Sequence, residues 1–175
     1  KDSKIIIEGI VEKYGTDAIR YFVLRQIPFS NGDDGDFSED ALVERHNNEL
    51  ANKLGNLISR VSTLAEKYGL EKCSVKVLRT KKLNEDVEKF IERFEFDKAL
   101  NEIFSFVDKC NEFIQDKKPW ETKDRKILYE LVFGIRDTTI LLSSFMPVTA
   151  EKISKIFGFE ISLDEIGKDL KIGKI

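Results

Sequence analysis

The chain has 175 residues, of which 41% are hydrophobic and 35% charged, and its formal net charge is −3. This is the composition of a soluble globular protein, and it excludes a chain that is basic along its whole length. No membrane-spanning helix is expected, because no apolar run approaches the roughly 20 residues that a span needs. The chain does not begin with Met, so we interpret it as a fragment of a longer protein.

The N-terminal part predicts two short helices. A helical pattern over Ile5–Tyr14 ends at Gly15, a residue type that favours helix ends. A second pattern covers Asp17–Arg25, with one apolar face formed by Ile19, Phe22 and Val23. Proline, glycine and Asn-Gly signals break the pattern over residues 26–37. Short extended segments are expected in that stretch, at Ile27–Phe29 or Gly35–Phe37.

The middle of the chain predicts one long helix. Ser38 can cap its start, since the serine oxygen accepts from free N–H groups of a first turn. The pattern then continues to Gly69. One buried stripe is formed by Leu50, Leu54, Leu57, Val61 and Leu64. Residues 70–82 have no strong period and are predicted to be a loop.

Four further helices are expected in the C-terminal half. Asn84 and Asp97 are predicted to cap the first two, and Pro119 is predicted to end the second. The inward positions of the first are Val87, Phe90, Ile91 and Phe94; those of the second are Leu100, Ile103, Phe106 or Val107, Cys110 and Ile114. A long apolar helix follows over residues 124–145, and Pro147 begins a last one that ends at Gly158. Helices of this length with short connections form a bundle.

Charge is distributed unevenly. Residues 60–82 hold seven basic and two acidic side chains. Such a stretch can meet phosphates, although like-charge stretches are more often simply solvated. The two cysteines, Cys73 and Cys110, are far apart in sequence and form no CxxC motif. They favour a reducing compartment and indicate neither a disulfide framework nor a zinc site.

No catalytic constellation is visible. His46 is the only histidine, and no nucleophile lies at a telling spacing from it. The glycine-rich phosphate-binding motifs and the HExxH zinc motif are missing. The residues therefore favour binding over catalysis, with no metal and no cofactor in this chain.

Three stretches resemble methionyl-tRNA synthetases. The first is EKYGTDAIRYFVLRQIPFSNGDDGDFSEDALVERHNNELANKLGNLISR, residues 12–60. The others are ALNEIFSFVDKCNEFIQDKKPWE, residues 99–121, and LLSSFMPVTAEKI, residues 141–153. The YG-x-DA-x-RY part is shared more widely among class I synthetases, whereas GDFSEDAL with ELANKLGNL, followed by N-x-F and Pro-Trp, looks specific to the methionine enzyme. Past Gly158 the match is weak.

The resemblance implies an all-α fold in two parts and a tail. Residues 1–47 are similar to the connecting, stem-contact segment, which is small and mostly helical. Residues 48–158 resemble the helix bundle that binds the anticodon, and residues 159–175 form a C-terminal tail. The implied partners are a methionine tRNA with a CAU anticodon and the catalytic domain missing from this chain. The parent enzyme would be cytoplasmic and would use ATP with magnesium, and any zinc would lie in its missing part.

The resemblance also implies the residues that contact anticodon bases. They are Asn56 and Arg60, four apart on one helix face, and Trp120 after Pro119. Asn offers a donor and an acceptor to a base edge, Arg a planar fork, and Trp a stacking surface. From the residues alone, Asn56 could instead bond within the bundle, Arg60 could pair with a carboxylate, and Trp120 could fill the end of the bundle.

Weaker candidates for RNA contact surround these three. Lys53 lies one turn before Asn56 and could contact a phosphate. Pro119 belongs to the Pro-Trp motif, and Lys117, Lys118 and Lys123 could supply non-specific charge around Trp120.

Two other functions remain open at this point. The first is the equivalent domain of another class I synthetase, for isoleucine, leucine, valine or cysteine, which would prefer a different anticodon. The second is a helical protein-interaction module, which would bind through an apolar groove and be insensitive to RNA sequence. An independent enzyme is the weakest alternative, because no acid–base or nucleophile set is visible.

Overall fold

The computed structural model describes residues 7–26 and 38–171, and these ranges contain helices and no strand. The α-helices are α1 Ile7–Tyr14, α2 Thr16–Gln26, α3 Glu39–Arg45, α4 Asn56–Tyr68, α5 Lys81–Glu92, α6 Phe96–Lys117, α7 Pro119–Thr122, α8 Arg125–Leu142 and α9 Pro147–Phe157. A π-helical segment, His46–Gly55, joins α3 to α4, and Leu163–Glu165 form a 3₁₀ turn. The all-α prediction is confirmed, and the extended segments expected at Ile27–Phe29 or Gly35–Phe37 lie outside the described residues. Within the described part of the chain, no helix is long and apolar enough to cross a membrane.

Several helix ends follow local sequence signals. The Ser38 oxygen accepts from the Ala41 N–H at 3.2 Å and caps α3, as expected. Pro147 is the first residue of α9, where its missing N–H costs nothing. Gly158 ends that helix with φ of 70°, a left-handed conformation that glycine adopts without strain. These helix ends could be predicted from the residues next to them in the sequence alone.

Three predictions at the α5–α6 hairpin were wrong. Asn84 does not cap α5: the helix begins earlier, and the Asn84 N–H already donates to the Thr80 carbonyl at 2.9 Å. Asp97 does not cap α6 but lies inside its first turn. Phe94 is not inward-facing, because α5 has ended and φ of Phe94 is 59°. This left-handed turn leaves its ring 69% exposed.

The π-helical segment is the part of the long middle helix that the sequence pattern did not indicate. Backbone at both ends is right-handed helical, so α3, the segment and α4 form one continuous run. The Asn56 N–H donates to the Ala51 carbonyl, five residues back, as π-helical bonding requires. The predicted division between residues 47 and 48 falls inside this run and stays a prediction.

Helices α6 and α8 form the centre of the bundle. The stripe predicted for α6 is confirmed, since its members are all buried. Every residue of α8 from Leu128 to Leu142 is also buried. The two helices approach closely at Gly134, where an added Cβ would lie 3.2 Å from Phe106 Cε1 and 3.3 Å from Cys110 Sγ. A side chain at this position would therefore require Phe106 or Cys110 to shift by a few tenths of an ångström in a tightly packed core.

Helix α2 has two apolar faces. On one face, Phe22 forms a small separate core with Ile10 and Leu42. On the other, Tyr21 belongs to the core of the bundle, and its ring centroid lies 5.2 Å from that of Phe104. The sequence predicted the first face and missed the second. We use "connecting segment" below for the described residues from Ile7 to Arg45, which α2 joins to the bundle.

The loop between α4 and α5 is held by a buried carboxylate. One oxygen of Glu130 accepts from the N–H groups of Lys76, Val77 and Leu78, at 2.9 Å from Lys76 and 2.8 Å from Leu78. Glu130 itself is only 6% exposed. These bonds satisfy both the loop backbone and the buried charge.

The C-terminal tail is docked on α8 through its backbone. The Gly167 N–H donates to Asp137 at 2.8 Å, the Lys168 carbonyl accepts from Arg136 at 2.7 Å, and the Leu170 N–H donates to the Tyr129 hydroxyl at 3.0 Å. An exposed ion pair joins the tail residue Asp169 to Lys72 at 2.7 Å. No structure was predicted for the tail from the sequence, so its docking is known only from the structure.

Candidate nucleic-acid interface

Asn56 and Arg60 lie on the outer face of α4. Leu57 and Val61 turn inward and are buried, which fixes the rotation of the helix about its axis. As a result, Asn56 is exposed and Arg60 is half-buried on the opposite side. The amide and the guanidinium therefore stand one helical turn apart on a surface that is open to solvent.

Trp120 is presented by a short turn after α6. Lys118 adopts a left-handed conformation with φ of 43°, which reverses the chain, and Pro119 is buried at the start of α7. Trp120 is half-buried and packs against the bundle core. The guanidinium carbon of Arg60 lies 5.3 Å from the Trp120 ring centroid. The structure thus brings together the Arg and Trp that the sequence placed in one site.

Lys53 is engaged with the protein. Its ammonium lies 2.7 Å from the Asp108 carboxylate, and both side chains are about 40% exposed. The Lys53 carbonyl accepts from the Asn111 amide at 3.2 Å. Asp108 and Asn111 border the candidate site from α6. Asn111 belongs to the N-x-F motif of the resemblance but was not predicted to be a site residue. Asp108 carries no signal of its own, because polar residues on the outer side of an amphipathic helix are usually only solvated.

The lysines around Trp120 are exposed and partly paired. Lys117 extends over the Phe113 ring with its ammonium 5.9 Å from the centroid. Lys118 lies 3.8 Å from Glu121, an exposed pair that contributes little stability. Lys123 ends α7 in a left-handed conformation. These ammonium groups create positive potential beside the ring without pointing to particular bases.

The basic stretch 60–82 does not form a single patch. Lys72 pairs with Asp169 in the tail, and Arg60 belongs to the site around Trp120. Arg79 bonds back to its own loop, to the Val75 carbonyl at 3.1 Å. The stretch is therefore divided between the candidate site, a docked loop and the start of α5.

The arrangement of Asn56, Arg60 and Trp120 suits recognition of an unstacked base. An aromatic ring and a planar cation offer stacking surfaces, and an exposed amide offers a donor and an acceptor. The described residues contain no group of three or more His, Cys, Asp or Glu side chains that could hold a metal ion. This geometry suits a polar, planar ligand.

Two family models match the chain. Residues 74–172 match the anticodon-binding domain of tRNA ligases, which is more than half of the sequence. Residues 1–62 match the class I tRNA synthetases of the (M) type. The first match contains Trp120 and the second contains Asn56 and Arg60.

Curated relatives are named methionine–tRNA ligases. The protein from Caldanaerobacter subterraneus subsp. tengcongensis is 39% identical over 168 residues, which cover 85% of this chain and 26% of the relative. The Helicobacter pylori protein (strain 26695) is 34% identical over 184 residues, which cover 96% of this chain and 28% of the relative. The chain thus spans about a quarter of the length of these relatives.

Solved structures agree with the sequence comparison. The free state of Mycobacterium tuberculosis methionyl-tRNA synthetase superposes with a TM-score of 0.86 at 27% identity, covering 95% of this chain and 38% of that one. The same enzyme bound by methionyl-adenylate gives a TM-score of 0.80 at 26% identity, over 91% of this chain and 35% of that one. The chain therefore belongs to the anticodon-binding domain family of tRNA ligases, and it corresponds to the part of methionyl-tRNA synthetases that carries this domain.

Proposed function

We propose that this chain binds methionine tRNA and reads its CAU anticodon through Asn56, Arg60 and Trp120. The observation that supports the proposal most is the Arg60 guanidinium 5.3 Å from the Trp120 ring, one helical turn from the exposed Asn56 amide. Anticodon loops expose single-stranded bases, and proteins read such bases by stacking them on aromatic rings and bonding their edges.

Each of the three residues has a separate task in this proposal. Trp120 stacks on one base, an interaction worth roughly 1–3 kcal/mol by alanine substitution. Asn56 donates to and accepts from base edges, whereas Arg60 only donates to them and adds charge that attracts the phosphates. Lys117, Lys118 and Lys123 strengthen binding without selecting a sequence, whereas Lys53 contributes less because Asp108 neutralises it.

The parent protein, in this proposal, joins methionine to its tRNA in the cytoplasm with ATP and magnesium. That chemistry belongs to the rest of the protein, since the chain spans about a quarter of its relatives. Any zinc would also lie there. The chain itself holds the tRNA and needs no cofactor to do so.

The single tryptophan makes the test direct. Hairpins with a CAU or a GAU anticodon are titrated into the chain at low salt, and the emission of Trp120 is followed. GAU is the isoleucine anticodon, so this pair also separates methionine from its nearest class I rival. We expect saturable quenching by CAU and an affinity for GAU that is roughly fivefold or more lower, as for loss of one base contact.

A matched pair of variants separates a specific contact from general charge. Arg60→Ala and Arg79→Ala each remove one positive charge from the same half of the chain. We expect Arg60→Ala to lose most of the preference for CAU and Arg79→Ala to keep it. Equal weak quenching by both hairpins would reduce the chain to an electrostatic RNA binder. Folded protein with no response to either hairpin would favour a protein-interaction module instead.

A further inference from the structure

The connecting segment grips the turn between α8 and α9 with two charged side chains. Asp17 accepts from the Thr149 N–H at 2.6 Å. Arg20, one helical turn later on α2, donates from Nε to the Phe145 carbonyl at 3.0 Å and from Nη2 to the Ser144 carbonyl at 3.2 Å. We call Asp17 and Arg20 the clamp.

Each side chain of the clamp has the charge that its target needs. The turn is where α8 ends and α9 begins, and the first N–H groups of a helix lack partners within it. Met146, the residue before α9, makes no capping hydrogen bond with its side chain. Asp17 on α2 supplies a negative acceptor instead. Arg20 places a positive group on carbonyls that follow α8, where the helix dipole is negative. The two contacts therefore reinforce each other electrostatically.

The clamp bears on the angle between the connecting segment and the bundle. The connecting segment has its own small core, separate from the main one. A cleft of about 650 Å³ lies between the α1–α2 turn, the helical run from His46 to Ser62, and α9. Apolar packing thus covers only part of the junction. The rest depends on polar contacts such as the clamp and the Arg25–Glu49 ion pair at 3.2 Å.

Burial of the Asp17 carboxylate at this junction has a free-energy cost. Asp17 is 8% exposed, and its second oxygen, Oδ1, has no hydrogen-bond partner within the described ranges. A buried acceptor without a partner costs stability. A carboxylate that served only to solvate the N-terminal turn of α2 would not need burial against α9.

We propose that Asp17 and Arg20 are positioning residues, which fix the connecting segment at the angle where it and the anticodon site contact one tRNA at the same time. This inference rests on the proposed function. The clamp joins the two parts of the chain that separate family models match, residues 1–62 and 74–172. Two contact areas bind one rigid ligand together only when their spacing suits it.

The test compares two RNA ligands of different size. The chain is titrated with the CAU hairpin and with full-length methionine tRNA under the same salt. In this proposal the hairpin contacts only the anticodon site, whereas the tRNA also contacts the connecting segment. We expect the unmodified chain to bind the tRNA about tenfold more tightly than the hairpin. The ratio of these two affinities is the measured quantity.

The double variant Asp17→Ala with Arg20→Ala removes one negative and one positive group, so the net charge stays at −3. We expect its hairpin affinity to change by less than about twofold and its tRNA advantage to fall below about twofold. Arg20→Lys keeps the charge but cannot hold two carbonyls with a planar fork, and it should lower the ratio in part. Arg93→Ala, at the exposed end of α5, is the control and should keep the ratio.

Circular dichroism establishes that each variant is folded, and Arg20→Lys provides the test if the double variant is not. An unchanged ratio in the folded variants would overturn the inference, as would an unmodified chain that binds tRNA and hairpin equally. In both cases CAU selectivity in the hairpin would leave the proposed function standing. Loss of that selectivity in the unmodified chain would instead contradict the proposed function.

Discussion

The Arg60 guanidinium lies 5.3 Å from the Trp120 ring centroid, and the two side chains come from different helices, α4 and α7. Contact between a cation and an aromatic face is attractive, most of all for Trp. The two sides of the candidate site are therefore already in contact in the free chain. In the proposed function, a base that stacks on the ring face beneath Arg60 has to displace that guanidinium.

Substitutions at Arg60 should affect binding more than stability. An exposed cation–π contact is worth about 0.5–1 kcal/mol, so Arg60→Ala should lower the free energy of unfolding by no more than that. Arg60→Lys keeps the charge but loses the planar fork, and it should lose much of the preference for CAU while keeping the salt dependence of binding. Urea denaturation and hairpin titrations at two salt concentrations measure both effects. A large loss of stability in Arg60→Ala would indicate a structural residue instead.

Removal of the Asp108 charge should release Lys53 for phosphate contact. Asp108→Asn leaves the Lys53 ammonium without its partner at 2.7 Å. We expect affinity to rise for the CAU and GAU hairpins alike, with a steeper dependence on salt, because phosphate contacts carry no sequence information. Asp116→Asn, on the exposed side of the same helix, is the control for net charge. An equal rise in affinity in both variants would mean that the loss of a negative charge, and not the release of Lys53, strengthens binding.

Gly134 should not tolerate a side chain. Its added Cβ would come within 3.2 Å of Phe106 and 3.3 Å of Cys110, so Gly134→Ala should destabilise the chain by about 1–3 kcal/mol. Gly9→Ala is the matched control, since nothing lies within 4 Å of a Cβ there and the residue is exposed in α1. It should be neutral or stabilising by up to about 1 kcal/mol. Thermal unfolding of the two variants distinguishes close helix packing from a general effect of alanine.

Much of the bundle was predictable because its signals are local. The α6 stripe is read from spacing alone, and Ser38 and Pro147 mark helix starts through their own chemistry. The π-helical segment was not predictable, because it depends on how the whole helix packs. Phe94 was misassigned because its spacing continues the apolar stripe of α5, although that helix has already ended at Glu92.

The candidate site was predicted in part. The resemblance placed Asn56, Arg60 and Trp120 in one site, and the fold brings Arg60 against Trp120. Whether these residues bind RNA stays a prediction. The partners of Lys53 could not be foreseen, because Asp108 is far away in sequence and has the spacing of an ordinary solvated residue. The clamp was missed for a similar reason, since Asp17 and Arg20 look like polar positions of a short surface helix.

Glu130 should be essential for the loop that it holds. Glu130→Gln keeps an acceptor oxygen but removes the charge that three N–H groups share, and we expect a loss of about 1–3 kcal/mol. Amide hydrogen exchange at residues 76–78 should become faster in the same variant. Glu66→Gln, an exposed acid on α4, should change neither quantity. Unchanged exchange in Glu130→Gln would mean that the loop is held by its apolar contacts alone.

The two cysteines should differ in reactivity. Burial raises the pKa of the Cys110 thiol to about 12, so almost no thiolate forms in the native state near pH 8. Cys73 is only partly buried, although burial raises its pKa as well. We expect iodoacetamide to label Cys73 first and Cys110 only through unfolding, as followed by mass spectrometry. Equal native labelling rates would contradict the burial of Cys110.

The same pKa shift gives a pH dependence of stability. The native chain holds the Cys110 proton more tightly than the unfolded chain, whose thiol has a pKa of about 8.5. Its contribution to stability is therefore complete below about pH 8.5 and declines as the pH rises from there towards 12. Cys110→Ala should flatten this alkaline decline in urea titrations between about pH 7.5 and 10. An identical decline in the variant would assign the effect to other groups.

Three of the contacts that hold the tail are made by its backbone, which every amino acid shares. Side chains of α8 form hydrogen bonds with the Gly167 N–H, the Lys168 carbonyl and the Leu170 N–H. No side chain of the tail takes part in these three bonds. Tail residues other than Phe159, Ile166 and Leu170, which pack against the core, can therefore change while the path of the backbone across α8 stays the same. The exceptions are proline at the two donor positions and residues with a Cβ at Gly167, where φ is 77°. The family match runs to residue 172 and so includes this docked tail, although the residues past Gly158 resemble the family only weakly by themselves.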